Sequence, residues 1–223
     1  MTAKTLFRAV FLGPPGAGKG TQAIQLARTL AAAHLSTGDM LRRHVAQGTE
    51  LGRRAESAMV AGQLVPDDLI IAMVEDRLQS DLANSAWILD GFPRTVTQAE
   101  ALDRSLGDSG LRLTHVVFFS VDRAELMMRL TGRRTCSSCG AIWNVTSNPT
   151  KNLDVCDLCD GRLTHRSDDR PESVERRLAE YDKSTQPLLT FYRRSGCLRE
   201  VDASRPVAEI GQEIKSILQG SVR

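Results

Sequence analysis

Aromatic residues make up only 4% of this 223-residue chain, so it lacks the interleaved aromatic and basic positions on which single-stranded nucleic acid stacks. It also lacks an excess of charge. The 29 Lys and Arg nearly balance the 27 Asp and Glu, and a formal net charge of +2 gives no support to a nucleic-acid-coating role. No apolar run approaches the ~20 residues of a membrane span. Met1-Thr2-Ala3-Lys4-Thr5 leads straight into the apolar run Leu6–Leu12, which is too short for a secretory core and has no small-residue cleavage site after it. A soluble, cytoplasmic protein engaging neither membrane nor nucleic acid is expected. The four His are scattered, and no pairing of a nucleophile with a base emerges. Tandem repeats and low-complexity segments are also missing.

What is present is an alternation. Apolar strand-like runs recur at Leu6–Leu12, His34–Ser36, Ala86–Leu89, His115–Val121 and Leu198–Val201, with room for a helix in each interval. Ile24, Ala27, Leu30 and Ala31 follow a helical period after the first run, and Val207, Ile210, Ile214, Ile217 and Leu218 do so at the end. Strands alternating with helices indicate βαβ units and a parallel sheet covered on both faces. Right-handed crossovers then give an α/β doubly wound sheet of about five strands, with ligands at the strands' carboxyl ends. One stretch breaks the pattern. Gly132–Asp169 is rich in Cys, Arg, Asn, Asp and Gly, and is expected to be an inserted subdomain.

The first strand runs directly into Gly13-Pro14-Pro15-Gly16-Ala17-Gly18-Lys19-Gly20-Thr21, which opens the first helix. That context suits a phosphate-binding loop. Glycines let successive N–H groups turn inward toward phosphate oxygens, the helix N-terminus adds its dipole, and Lys19 supplies a mobile positive charge. The commonest pattern places Ser or Thr right after the lysine. Here Gly20 intervenes and Thr21 follows. The simplest reading is a nucleoside triphosphate site.

Within the insert, Cys136-x2-Cys139 and Cys156-x2-Cys159 are two knuckles 16 residues apart, the spacing of a four-cysteine zinc ribbon. Four thiolates saturate a tetrahedral Zn²⁺, so the metal is expected to be structural, with iron or cobalt as thiophilic alternatives. An insert of about 38 residues buries too little core to hold itself rigid, and the metal would supply the missing folding energy. Cys197, outside the cluster, reads as a buried thiol. Between Arg129 and Arg177 stand eight Arg and one Lys. Guanidinium forks suit bidentate phosphate contact, and Arg134, Arg162, Arg170 and Arg176 read as surface residues.

Taken together, these motifs resemble the nucleoside monophosphate kinases, and within them the long-lid adenylate kinases whose lid binds a metal. The resemblance rests on Gly13–Thr21, on Leu35-Ser36-Thr37-Gly38-Asp39-Met40-Leu41-Arg42, and on Asp90-Gly91-Phe92-Pro93-Arg94 with Gln98. It extends through Gly132-Arg133-Arg134, Arg166-Ser167-Asp168-Asp169, Arg177 and Pro187-Leu188, and so covers nearly the whole chain. It implies ATP, AMP and ADP as ligands, Mg²⁺ with ATP, structural Zn²⁺ in the lid, and a monomer. It divides the chain into a core (1–35, 66–131 and 170–223), an AMP-binding arm (36–65) and a metal-binding lid (132–169).

The ATP-binding residues it implies are Gly16, Ala17, Gly18, Lys19, Gly20, Thr21, Arg129, Arg133, Ile142, Trp143 and Arg205. For AMP they are Thr37, Arg42, Gln63, Leu64, Val65, Gly91, Phe92, Pro93, Arg94, Gln98, Arg166 and Arg177. Catalysis would fall to Lys19, Asp90, Arg94, Arg133, Arg166 and Arg177, and metal binding to Cys136, Cys139, Cys156 and Cys159. Asp90 would act on Mg²⁺ through water, or else cap a turn. Asp39 is read equally as a helix N-cap or a ligand, and Asp168 and Asp169 as contacts that close the lid. Gln98 offers a donor and an acceptor to an adenine edge.

The acceptor phosphate is already anionic at neutral pH, which agrees with the absence of a general base; positioning and charge neutralisation must supply the catalysis. Departures from the family pattern are Gln63 and Arg205, where lysine is common, and Ala203, where glycine is frequent. A sibling kinase using GTP as donor, or UMP or CMP as acceptor, is the alternative. Thr95 after Arg94 favours AMP, because pyrimidine-specific relatives tend to carry asparagine there. A zinc-ribbon nucleic-acid binder with a regulatory nucleotide site is disfavoured by the charge balance and the scarcity of aromatics.

Overall fold

The computed structural model describes residues 6–81 and 85–220. The Met1–Thr5 lead, and residues 82–84 and 221–223 of the expected core, lie outside the described residues. Each apolar run forms a strand: β1 (Arg8–Leu12), β2 (Ala33–Ser36), β3 (Trp87–Asp90) and β4 (His115–Ser120). The insert adds three short strands, β5 (Arg133–Cys136), β6 (Ile142–Asn144) and β7 (Leu163–Thr164), and the last run is β8 (Leu198–Asp202). Leu6, read as part of the first run, lies outside the strand and is 42% exposed.

The five core strands form one parallel sheet in the order β2-β3-β1-β4-β8. Nine helices are described around it. They are α1 (Lys19–Leu30), α2 (Thr37–Ala46), α3 (Glu50–Ala61), α4 (Asp67–Asp81), α5 (Val96–Asp108), α6 (Arg123–Thr131), α7 (Pro171–Glu180), α8 (Pro187–Arg194) and α9 (Val207–Gln219).

Strand side chains alternate between the faces of a sheet, and two cores result. Ala9, Phe11, Ile88, Val117 and Phe119 pack with Ala23 and Leu26 of α1, Leu126 of α6, Leu178 of α7 and Ile214 of α9. Val10, Leu12, Leu35, Leu89 and Val116 pack with Leu41, Ala55, Val74, Leu102 and Leu188 from α2, α3, α4, α5 and α8. Burial on both faces is why these strands read as continuous apolar runs rather than alternating ones.

The helical period read after β1 needs correction. The buried residues of α1 are Gln22, Ala23, Leu26 and Ala27, whereas Ala31 is the left-handed C-cap (φ 48°). Ile24, the apolar residue that suggested the period, faces the cleft described below. Asp39 is not the N-cap of α2. Ser36 is, its hydroxyl accepting from the Asp39 N–H at 3.2 Å.

Candidate active site

The carboxyl ends of the core strands open into a cleft of about 980 Å³. Gly16 to Thr21 line it after β1, Asp90, Gly91, Pro93 and Arg94 after β3, and Ala203 and Arg205 after β8. Thr37, Arg42, Gln63, Leu64 and Val65 face it from the α2–α3 side, Arg129 from α6, and Arg133, Ile142, Trp143 and Arg166 from the insert and its exit. Gln98 and Arg177 complete the set. Every nucleotide-binding residue expected from the sequence lines this one cleft except Phe92. Phe92 is 2% exposed and belongs to the core packed by Leu89 and Leu102, because its aromatic ring gains more from burial than from the cleft.

In the phosphate loop, Gly16 and Gly18 hold φ of 86° and 88°, a left-handed conformation that only glycine adopts without strain. Lys19 Nζ donates to the carbonyls of Gly13 and Pro14 at 2.8 Å each. Gly20, the departure from the usual loop, has a steric reason. A Cβ there would lie 3.1 Å from Asp90 Oδ2, so the bare backbone gives the carboxylate room at the loop. Burial lowers Lys19 from 10.5 to about 8; Asp90 opposes this, while Arg94, Arg177 and Arg133 add to it. His34 also faces the cleft, with Nε2 at 3.8 Å from Asp90 Oδ2.

Arg42, Arg94, Arg133, Arg166 and Arg177 come from separate segments and repel one another across the cleft. Arg94 is lowered to about 10 by its crowded surroundings and by Arg177 and Arg42, and Arg166 to about 10 by burial and by Arg133 and Arg42. Two aspartates hold this cluster together. Asp169, fully buried, takes Arg133 through both Nε (2.7 Å) and Nη2 (2.5 Å) and accepts from Arg177 at 3.0 Å. Asp168 pairs with Arg177 at 3.0 Å. Burial works against the charge on Asp168, yet Arg177, Arg133 and Arg166 hold its carboxyl below the ordinary range. Asp39 likewise overcomes its burial through Arg42, at 2.5 Å. Of the arginines read as surface residues, Arg162, Arg170 and Arg176 are exposed, whereas Arg134 is half-buried and donates to the Thr131 and Arg133 carbonyls.

Gln98 is 2% exposed and already engaged. Its Oε1 accepts from Arg94 N at 2.7 Å, and its Nε2 donates to Asp67 Oδ1 at 2.6 Å. One donor and one acceptor position remain for a ligand, fewer than its free amide suggests. Asp67 also accepts from the Thr95 hydroxyl at 2.9 Å. A one-turn π-helix (Tyr181–Thr185) between α7 and α8 brings the Thr185 hydroxyl to the Arg94 carbonyl at 2.9 Å. Such turns inside helices are frequent at functional sites.

The insert folds as a three-stranded antiparallel sheet, β6-β5-β7, beside a cluster in which all four sulfurs lie within 4.8 Å of one another. Cys136 and Cys159 are 3.5 Å apart, and Cys139 and Cys156 3.7 Å. Those are not disulfide distances; they match the ~3.8 Å edge of a tetrahedron with metal–sulfur bonds of about 2.3 Å. The N–H of Cys139 is the main influence drawing the Cys136 thiol down to about 6, readying it as a thiolate ligand. Gly161 is required beside it, since a Cβ would meet the Cys136 sulfur at 2.9 Å. The residues present fit a four-coordinate thiophilic metal.

The family model for adenylate kinase matches residues 11–197. Adenylate kinase of Carboxydothermus hydrogenoformans is 45% identical over 95% of this chain and 99% of its own. That of Desulforudis audaxviator is 47% identical over 94% and 98%, and that of Acidothermus cellulolyticus 50% identical over 91% and 94%. The chain belongs to the adenylate kinase family. It is a phosphotransferase.

Three departures from the adenylate kinase pattern now have a setting. Ala203 is outside the left-handed region and its methyl is buried in the core, so its backbone does not demand the family's glycine. Arg205 lines the cleft with its charge paired to Glu213. Gln63 is exposed at the cleft edge with its N–H bonded to the Ala58 carbonyl, so any main-chain contact would use its own carbonyl.

Sequence reasoning missed Asp67, His34 and Thr185. Asp67 opens α4 and reads as an ordinary first-turn acid; nothing local signals that it positions Gln98 across 31 residues. Cys197 is buried as expected, its sulfur 2.9 Å from the Ser195 hydroxyl. Among the described residues no helix is long and apolar enough to cross a membrane.

Proposed function

We propose that this adenylate kinase family member transfers the γ-phosphoryl of ATP to AMP, reversibly, giving two ADP. The observation that carries the proposal is the convergence of Lys19 with Arg42, Arg94, Arg133, Arg166 and Arg177 on one cleft of about 980 Å³. Asp168 and Asp169 offset Arg133 and Arg177, the positive charge left over favours anions entering the cleft, and ATP with AMP brings four phosphates.

In this reading the phosphate loop and Lys19 hold the ATP β- and γ-phosphates, and Arg129, Ile142, Trp143 and Arg205 border the donor base. Arg42 and Arg94 hold the AMP phosphate, with Thr37, the 63–65 segment, Gly91, Pro93 and Gln98 around the acceptor. Arg133, Arg166 and Arg177 neutralise charge on the phosphoryl group in flight, where rigid guanidinium forks need no reorganisation at the moment of transfer. The acceptor oxygen carries its own negative charge, so no side chain has to remove a proton. Asp90, held at the strand end next to Gly20, would hold Mg²⁺ through water, and bound Mg²⁺ supplies further neutralisation of the β- and γ-phosphates.

The division into core (1–35, 66–131, 170–223), AMP arm (36–65) and lid (132–169) belongs to the same proposal. So does zinc as the metal held by Cys136, Cys139, Cys156 and Cys159. A monomer belongs to the same proposal. Five free cysteines suit a reducing compartment such as the cytoplasm.

A steady-state panel of ATP, GTP, CTP and UTP against AMP, GMP, CMP and UMP tests the substrate assignment. ATP with AMP should give the highest kcat/KM, by at least about tenfold. Inactivity with AMP, or a higher kcat/KM for a pyrimidine monophosphate, would overturn it.

A further inference from the structure

Gln22 follows the phosphate loop by one residue, is 2% exposed, and has no counterpart among the functional residues read from the sequence. Its Nε2 donates to the Val207 carbonyl at 2.7 Å, a contact spanning 185 residues. Because only the amide nitrogen can donate to a carbonyl, this contact fixes the orientation of the side chain. The other half of the amide, Oε1, is buried with no hydrogen-bond partner. Space for it comes from Gly211, inside α9, where a Cβ would lie 3.0 Å from that oxygen. Glycine is a poor helix former, and Gly211 is not among the glycines with positive φ. Closeness to Gln22, rather than backbone conformation, accounts for it.

Val207 opens α9 directly after the 203–206 turn, on the side of the cleft assigned above to the donor base. That turn has two other tethers: Ala203 N donates to the Ser120 carbonyl at 2.9 Å, and Arg129 Nη2 donates to the Ala203 carbonyl at 2.9 Å. They tie it to β4 and α6. Gln22 ties it to α1, whose N-terminus forms the phosphate loop. An apolar side chain of the same length would fill the site without leaving a buried acceptor unmet, so packing alone does not explain the amide.

We infer that Gln22 is a positioning residue for the donor nucleotide. It sets the separation between the phosphate loop and the 203–207 wall, so that triphosphate and base are bound in one fixed register. This rests on the reading of that wall as the donor-base side.

Gln22→Met in the full chain keeps the volume and removes the bond. The KM for ATP should rise about tenfold, the equivalent of one lost hydrogen bond of ordinary strength. The KM for AMP and kcat should stay within about twofold, and the preference for ATP over GTP should fall. Gly211→Ala, which presses on Oε1 and leaves Nε2 in place, should move the ATP constant the same way by a smaller factor. A lowered Tm with both KM values unchanged, or with both raised together, would reduce Gln22 to a packing residue and overturn the inference. Photolabelling with 8-azido-ATP locates the base independently. Label on residues 203–210 with an unchanged KM for ATP in Gln22→Met sinks the inference alone, whereas label elsewhere sinks both it and the underlying reading.

Discussion

Lys19 is the phosphate-loop residue whose protonation differs between the folded and unfolded chain. Burial and the Arg94, Arg177 and Arg133 charges bring it to about 8 from 10.5, and Asp90 only partly opposes them. The native protein therefore releases this proton more readily than the unfolded chain. The charged ammonium costs stability in full below pH 8, and the cost fades as pH rises from about 8 to 10.5. Lys19→Met should remove the cost and, because the triphosphate loses its point charge, lower kcat by at least about 100-fold. The two hydrogen bonds to Gly13 and Pro14 are lost as well, so the pH trend is the cleaner measure. The stability of Lys19→Met relative to the parent should fall by on the order of 1–2 kcal/mol between pH 7 and pH 10 in nucleotide-free thermal unfolding. A difference independent of pH would show that the lysine is not strained in the empty site. Glycine carries a related message: the sequence displays Gly20 only as an anomaly, and the Asp90 carboxylate beside it supplies the reason.

At the scale of the element, the insert is the part least able to fold on hydrophobic burial. Its buried apolar cluster consists of Cys136, Cys156 and Leu163, with Ala141 and Trp143 partly covered against it. Two of those three fully buried residues are metal-ligand candidates, so an ion bound there would be nearly the same object as the core. Chelation should therefore increase amide exchange across 132–169 and lower the first unfolding transition by several degrees, while the β1-β3-β4 core keeps its protection. Loss of activity with no change in either measure would point instead to a catalytic metal. The knuckles were legible because ligand spacing is a local property. The buried Asp169 bridging Arg133 and Arg177 was legible only as part of a family pattern, since a carboxylate's burial depends on elements 36 residues apart.

At the scale of the whole molecule, the cleft lies between the sheet, the α2–α3 pair and the insert. Water reaching the γ-phosphate would hydrolyse ATP without an acceptor, so transfer calls for closure over both nucleotides. The 36–65 and 132–169 segments are expected to move while the parallel sheet stays fixed. Structures of the free chain and of its complex with a bisubstrate analogue should differ by a displacement of both segments relative to β1, β3 and β4. Superposition without displacement of either would reject that reading.

The sequence by itself determined the strand positions, the phosphate loop, the thiol cluster and the family, because each rests on a periodicity or a spacing carried by neighbouring residues. The tertiary structure decided matters that depend on distant partners. It turned Phe92 into the core and half-occupied Gln98 through Asp67. It gave the cap of α2 to Ser36 and moved the buried stripe of α1 from Ile24 to Gln22 and Ala23. Whether a polar group faces a ligand or another side chain is set by what the fold places opposite it, and no local pattern encodes that.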